Sequence, residues 1–410
     1  MIERNILKEI NRWLHEEKII LLKGARQVGK TTLLKKIKAD LEKASQKVIY
    51  FSIDKEFGNP ILESPKKFIS YLQDQHISDK KIFVILDEFQ YLKNAGLFLK
   101  VLFDELRDKC QFIVSGSSSL EINKNSEFLT GRKIEFFLFN LSFEEFLSSK
   151  IKIKKPRDFN DLFDINDLYA EHLKSYFLEY INYGAYPEVA TQNDLKKKEE
   201  ITKDIISTYL HKDITSFLRI ENLDKFNNLI RILSLQIGSL LNINEISNTA
   251  QINMETCKKY LNILEGTYVF YFCKPFYRNI RKELTKMTKV YVSDSSIWKF
   301  AGGKSNFARF ADIDGNVVEN FLHRKLIETD FKVNYYRTIA KSEIDFVLSG
   351  EEKIYLIESK FRNKVSVPVV MKNFEKNYGE CVRIIITKDT LKKEDSTYFI
   401  PVYLFALLDF

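Results

Sequence analysis

The stretch Gly24-Ala25-Arg26-Gln27-Val28-Gly29-Lys30-Thr31-Thr32 decides the reading of the amino-terminal third. It follows the apolar run Ile19-Ile20-Leu21-Leu22 and leads into Leu33-Leu34-Lys35-Lys36-Ile37. That order is strand, glycine loop, helix, with the G-x-x-x-x-G-K-T spacing of a P-loop. Two glycines let backbone N–H groups curl around phosphates, and the helix that starts there adds its positive end. Gly24 through Thr32 are the expected ATP contacts, with Lys30 reaching the β and γ phosphates and the Thr31 hydroxyl a ligand of Mg²⁺.

A second motif supports the first. Ile82-Phe83-Val84-Ile85-Leu86 has the unbroken apolar pattern of a buried parallel strand and ends in Asp87-Glu88. An acidic pair at the carboxyl end of such a strand sits beside a P-loop in a doubly wound sheet. Asp87 would hold the Mg²⁺ shell, and Glu88 would polarise the attacking water. A further strand, Val48 to Ile53, falls between the two motifs, the arrangement of the AAA+ and RecA-like branch. A fourth strand, Gln111 to Val114, ends in Ser115-Gly116-Ser117-Ser118-Ser119. Ser117 is assigned as a γ-phosphate sensor with Ser115 as its rival; equally, the serines read as a cap for a helix from Leu120. Thr130-Gly131-Arg132 precedes a fifth strand, Lys133 to Phe139. Arg132 reads either as a phosphoryl-stabilising arginine, from its own or a neighbouring subunit, or as a surface residue.

Together with Leu141-Ser142-Phe143-Glu144-Glu145-Phe146-Leu147, these residues resemble a family of bacterial and archaeal AAA+-superfamily ATPases that carry a C-terminal domain of unknown function. The resemblance implies ATP binding and hydrolysis, and a nuclease-like carboxyl end. Asn140 stands where that family usually has proline. Gly184-Ala185-Tyr186-Pro187-Glu188 also matches it, and so does Ser293-Asp294-Ser295-Ser296, with Ser296 replacing a glycine; neither segment acquires a role from the sequence.

The chain of 410 residues has a net charge of +8, which permits a polyanionic partner without demanding one. No apolar run approaches the length of a membrane span. Cys110, Cys257, Cys273 and Cys381 are scattered, as reduced cytoplasmic thiols are. The expected architecture is α/β: residues 1–150 a P-loop doubly wound parallel sheet, 151–225 a helical lid or linker, 226–300 a winged helix-turn-helix, and 301–410 a restriction-endonuclease-like α/β domain. In the winged helix, the segment from Met254 is the recognition helix, with Thr256, Lys258 and Lys259 near its start. Lys274, Arg278, Arg281, Lys282, Lys286 and Lys289 against one acid, Glu283, make a basic wing suited to phosphates. Winged helices that bind protein partners are the competing reading.

At the carboxyl end, Asp345 lies in the strand Ser342 to Leu348, and Glu358-Ser359-Lys360 ends the next. Alternation puts Glu358 and Lys360 on one face. This is the Asp…Glu-x-Lys signature of restriction-endonuclease-like nucleases. Asp345 and Glu358 would bind Mg²⁺ through hard oxygens, Glu319 on the preceding helix would add a ligand, and Lys360 would position the attacking water. Two hairpin strands that simply end in charges are the plain alternative. The combined expectation is an ATP-hydrolysing protein coupled to a module that binds double-stranded DNA and cleaves it with Mg²⁺, compatible with a homo-oligomer. The alternatives are a nucleotide-operated signalling or defence switch whose last domain is an interaction platform, and an ATPase that acts on a protein.

Overall fold

The structure, a computed structural model, describes residues 2–56, 58–75, 81–117, 129–213, 220, 222–277, 287–351 and 353–409. Its contacts divide the chain into two compact units: Glu3–Asn140 with Gly266–Tyr268, and Leu141–Glu265 with Val269–Phe410.

In the first unit, helices and strands alternate as α1 (Ile6–Arg12), β1 (Ile19–Lys23), α2 (Lys30–Lys43), β2 (Val48–Ser52), α3 (Pro65–Asp74), β3 (Ile82–Asp87), α4 (Ala95–Leu106), β4 (Cys110–Gly116) and β5 (Lys133–Phe137). The strands form one parallel sheet in the order β5-β1-β4-β3-β2. β1, β3 and β4 bury every residue, which is why their sequences show no polar alternation. Leu21, Val84, Leu86 and Val114 pack with Phe68, Leu72, Leu99 and Leu102 into one core. Each such buried side chain contributes about 1.5–3 kcal/mol. Because the strands run one way, the loop after β1 and the ends of β3 and β4 share the carboxyl edge of the sheet.

The first unit ends at Asn140, earlier than the expected boundary at 150. The Leu141–Leu147 run belongs to the second unit because its aromatics are partnered there. Helix α5 (Phe143–Ser148) starts at a capping box, with Glu145 N donating to Ser142 Oγ (3.1 Å) and Ser142 N to Glu145 Oε2 (3.0 Å). It sets Phe143 edge-on to Phe177 and Tyr180 of α6 (Asp161–Tyr183). Two short helices follow, α7 (Pro187–Thr191) and α8 (Leu195–Ser207).

Next come α9 (Leu223–Leu235), α10 (Ile243–Thr249) and α11 (Met254–Gly266), then the antiparallel pair β6 (Phe270–Cys273) and β7 (Lys289–Val292). Asn242 caps α10, and Asn253 Oδ1 accepts from Thr256 N (2.7 Å) at the start of α11. Apart from Gly266–Tyr268, these helices and strands fall in the second unit with the preceding helices and the carboxyl end. Helix α12 (Ser295–Gly302) packs on α9, α6 and α8 within it.

The carboxyl end runs α13 (Gly315–Leu326), β8 (Lys332–Arg337), β9 (Glu343–Ser349), β10 (Ile354–Ser359), α14 (Val369–Tyr378), β11 (Val382–Thr387), β12 (Lys392–Glu394), β13 (Thr397–Pro401) and α15 (Val402–Phe405). The sheet order is β8-β9-β10-β11-β13-β12. Its first three strands are antiparallel, and β10, β11 and β13 are parallel. Val347, Leu356 and Ile385 of this sheet bury Met371 and Phe374 of α14.

Candidate functional site

In the first unit, the loop between β1 and α2 is shaped by its two glycines. A Cβ on Gly24 would lie 2.2 Å from Leu138 O, so the first glycine is required by the chain leaving β5. Gly29 caps α2 at φ +98, a conformation L side chains avoid. Lys30, at the first helical position, turns its ammonium back onto the carbonyls of Ala25 (2.8 Å) and Gly24 (3.1 Å). Burial pushes its pKa down from 10.5 to about 8, against the opposing charges of Glu88 and Asp87.

Asp87 ends β3 fully buried and is held by hydroxyls. Thr31 Oγ1 donates to its Oδ2 (2.7 Å), Tyr50 OH from β2 donates to the same oxygen (2.8 Å), and Ser115 Oγ from β4 donates to Oδ1. Burial and then the bond to Asp87 raise the Tyr50 pKa well above its ordinary value, so this phenol stays a donor. Glu88 follows in the left-handed region, φ +55, a cost of about 1–3 kcal/mol for a non-glycine residue. That turn aims its carboxylate at Gln90 Nε2 and at Ser117 Oγ (3.3 Å), while Ser115 Oγ accepts its backbone N–H (3.1 Å). The two serines that competed for one role thus serve different carboxylates: Ser115 both the Asp87 carboxylate and the Glu88 backbone, Ser117 the Glu88 side chain. The helix-cap reading of Ser118 and Ser119 lies outside the described residues.

Sequence reasoning missed Tyr50 and Gln90. The Gln90 amide also donates to Ser117 Oγ (3.1 Å), and its own Oε1 is buried without a hydrogen-bond partner. Thr31 and Asp87 offer hard oxygens 2.7 Å apart beside the loop, a donor set that fits Mg²⁺, with Tyr50 and Ser115 fixing the carboxylate from behind.

Arg132 is not brought to this site. It immediately precedes β5, and its carbonyl accepts from Ile19 N (2.8 Å) at the start of β1. In a parallel sheet that is the edge opposite the glycine loop, one strand length away, about 13–17 Å. Its guanidinium is paired with Asp104 of α4 (2.7 Å). The geometry removes an Arg132 role toward phosphate bound in its own subunit.

In the second unit, Asp345 of β9 and Glu358 of β10 are interlocked: Asp345 N donates to Glu358 Oε2 (3.2 Å), and Ser359 N to Asp345 Oδ2 (2.9 Å). Lys360 Nζ pairs with Glu358 Oε1 (2.5 Å). Glu319 on α13 faces the same cluster. The unforeseen member is Lys289 of β7, whose side chain is 3% exposed. Its ammonium pairs with Glu319 Oε1 (2.9 Å), with Glu343 of β9, and at 3.6 Å with Asp345 Oδ1. Tyr291 OH donates to Glu319 Oε1 (2.7 Å). Burial alone would lower the Lys289 pKa, but the charges of Glu319, Asp345 and Glu343 outweigh it and hold it above its ordinary value. Glu319 and Glu358 are pushed up, first by burial and then by the charge of Asp345.

Lys289 was read as a wing residue for DNA phosphates; buried and triply paired, it is unavailable for that. Of the other wing cations, Lys274 is exposed, and Arg278, Arg281, Lys282 and Lys286 lie outside the described residues. Lys258 and Lys259 are exposed near the start of α11. Among the described residues, no three histidine, cysteine or acidic side chains converge to hold a metal ion. Asp345 and Glu319 share the Lys289 ammonium and Glu358 faces that of Lys360, so in this arrangement the expected Mg²⁺ donors are already paired.

The two unassigned family segments meet each other. Gly184 ends α6 at φ +84, and a Cβ there would lie 2.2 Å from Asp294 Oδ1. Asp294 Oδ2 accepts from Ala185 N (2.9 Å), while its Oδ1 accepts from Ser296 N (2.9 Å) and the Ser296 hydroxyl. One buried carboxylate thus joins the turn after α6 to the start of α12.

Residues 16–147 match the model of the AAA domain, while 174–307 and 314–405 each match a domain of unknown function (DUF8612 and DUF4143). An uncharacterized protein of Haemophilus influenzae is 25% identical over 404 residues, 96% of this chain and 92% of its own. Uncharacterized protein MJ1637 of Methanocaldococcus jannaschii is 26% identical over 426 residues, 98% of this chain and 88% of its own. Among solved structures, the replication initiator DnaA bound to AMPPCP and single-stranded DNA aligns over 65% of this chain and 90% of its own, with 17% identity and a TM-score of 0.31. The first unit carries a P-loop and an acidic strand, and its residues 16–147 match the AAA domain model, which supports an ATPase domain. No described helix is long and apolar enough to cross a membrane.

Proposed function

We propose that the protein binds and hydrolyses ATP in its first unit and uses the nucleotide state to control a DNA-binding second unit. The observation that carries the ATPase reading is the hydroxyl cage on Asp87 beside Lys30, with Glu88 held in the left-handed region next to it. Backbone N–H groups of Gly24 to Thr32 and the start of α2 take the phosphates. Lys30 exchanges the carbonyls of Gly24 and Ala25 for phosphate oxygens. Mg²⁺, when bound, neutralises charge across the phosphates. Thr31 and Asp87 are its protein donors, and Tyr50 keeps Asp87 oriented. Glu88, steadied by Ser117 and Gln90, accepts the proton of the attacking water.

The DNA reading rests on the helix order α9, α10, α11 followed by the β6–β7 pair, with Thr256, Lys258 and Lys259 placed near the start of α11 as in a winged helix. The carboxyl end supports a restriction-endonuclease-like reading: a helix, three antiparallel strands, a second helix and a parallel strand, with Asp345, Glu358 and Lys360 on neighbouring strand ends. One observation favours the alternative, a nucleotide-operated switch without cleavage: the carboxylates that would do metal chemistry are already paired.

The test measures ATP turnover with and without duplex DNA across a salt series, and the integrity of that duplex. The expected result is DNA binding that weakens with salt, a turnover that DNA raises, and loss of both the turnover and its response in Lys30→Ala. Turnover that ignores DNA, with no salt-dependent binding, removes the DNA half of the proposal. Absence of nucleotide binding in folded protein removes all of it.

A further inference from the structure

Lys289 is the largest departure from what the sequence led one to expect. Buried ammonium groups are costly unless paired, and this one faces Glu319, Glu343 and Asp345 together. Two of those three, Glu319 and Asp345, are the residues that a metal-dependent reading would assign to the cation. The Glu319 and Asp345 oxygens that face Lys289 are ones a metal would need. The position is fixed by more than the acids. Cys273 pairs with Lys289 across β6–β7, Leu240 bridges to Lys289, and its ammonium lies 5.8 Å from the ring of Tyr335.

We propose that Lys289 is the resident cation of the carboxylate cluster, a built-in block that must withdraw before a divalent ion can enter. The proposal rests on the nuclease-like reading of the carboxyl end only for its consequence, not for its observation. Lys289 belongs to β7, the strand that follows the wing segment. Movement of that strand on binding a partner would carry the ammonium out and leave Glu319, Asp345 and Glu358 free to take Mg²⁺. In the described arrangement the site is held off by charge.

Metal binding tests this without any requirement for activity. Nucleotide-free full-length protein is titrated with Mn²⁺, followed by electron paramagnetic resonance. Lys289→Met is expected to gain a Mn²⁺ site that the native protein lacks, about tenfold or more tighter than any native binding. Adding Asp345→Asn to that variant should abolish it, and Lys289→Arg, which keeps the charge, should gain nothing. Because removing the ammonium leaves buried acids unpaired, Glu343→Gln serves as the gentler probe. It loosens Lys289 without touching Glu319, Asp345 or Glu358, and should show a smaller gain of the same kind. The proposal is overturned if native protein binds Mn²⁺ through Asp345 as tightly as the variants do. It is equally overturned if folded Lys289→Met or Glu343→Gln gains no site. A Mn²⁺ site gained with no cleavage of DNA would leave Lys289 as the block and sink the nuclease reading instead.

Discussion

Lys30→Met should weaken nucleotide binding and at the same time stabilise the nucleotide-free protein. The lysine is buried, and its pKa has fallen from 10.5 to about 8 because burial outweighs the attraction of Glu88 and Asp87. At neutral pH that fall corresponds to about 3 kcal/mol of unfavourable charge burial. Methionine fills similar volume without the charge. It forfeits the two hydrogen bonds to Gly24 and Ala25 carbonyls, which returns about 1–2 kcal/mol. The net is a gain of about 1–2 kcal/mol, or about 3–8 °C in Tm for a unit of this size. The gain should shrink as pH rises past about 8, since native Lys30 then sheds the proton that the unfolded chain keeps until near 10.5. ATP, by contrast, loses a charge-assisted phosphate contact of about 1.5–3 kcal/mol, or roughly ten- to 150-fold in affinity. The chain has two tryptophans, Trp13 in the first unit and Trp298 in the second. In a Trp298→Phe background, Trp13 fluorescence therefore follows the first unit alone during thermal unfolding in EDTA. A lower Tm for Lys30→Met than for its parent would refute the idea that this charge is held at a cost that bound nucleotide relieves.

Glu88→Gln should keep ATP affinity within about threefold and lower turnover by about 10²–10⁴-fold, measured by phosphate release and equilibrium binding; a fall in affinity with little change in turnover contradicts a base role. His323, buried on α13 and stacked on Tyr291 at 4.1 Å, has its pKa driven down from 6.5 to about 3 by burial and by the charges of Arg324 and Lys289. The unfolded chain takes up a proton below pH 6.5 that the native chain refuses. The His323 contribution to stability is therefore full above that value and falls by about 1.4 kcal/mol per pH unit down to about pH 3, some 2 kcal/mol by pH 5. Between pH 6.5 and 5 the stability read from Trp298 in urea should fall more steeply in native protein than in His323→Phe by about that slope, since the raised Glu319 and Glu358 oppose it alike in both; equal slopes refute it. Gly184→Ala should destabilise the second unit by more than about 2 kcal/mol, because its Cβ would meet Asp294 Oδ1 at 2.2 Å in a backbone conformation that favours glycine. An unchanged Trp298 transition would mean that this junction yields.

The parts of the molecule that short-range pattern governs were legible. A glycine loop between an apolar strand and a helix has one geometry, and an acidic pair ending an unbroken apolar strand reaches the same sheet edge. Strand alternation put Glu358 and Lys360 on one face, where they pair. For Arg132 the sequence held the clue against a role in its own subunit. A residue before a strand in a parallel sheet lies at the amino edge, away from the loop after β1. The boundary at Asn140 depends on Phe143 meeting Phe177 and Tyr180, aromatic contacts with no local signature. Lys289 was beyond the reach of sequence. Its charge marks it as a surface phosphate contact, and only the fold brings it to Glu319 and Asp345, 30 and 56 positions on. Gly184 and Asp294 each stood in a segment that resembled the family, but the bond that joins those segments spans 109 positions.

The two carboxylate sites settle their charge in opposite ways, and that contrast bears on which responds to metal. Every side-chain hydrogen bond described for the Asp87 carboxylate comes from a neutral hydroxyl, on Thr31, Tyr50 or Ser115. Hydroxyls orient a carboxylate without cancelling its charge. Of the three, Thr31 can turn its oxygen to an arriving ion while Tyr50 and Ser115 keep their hold. Asp345 and Glu319 instead face an ammonium, and Glu358 faces another on Lys360. An ion entering there must displace a buried cation and leave it without partners, a cost of several kcal/mol for each unpaired charge. Mg²⁺ should accordingly act first at the P-loop with nucleotide, and reach the second unit only after β7 has moved. A metal response that begins at Asp345 in nucleotide-free native protein would reverse this order, and with it the argument that charge pairing sets the sequence of events.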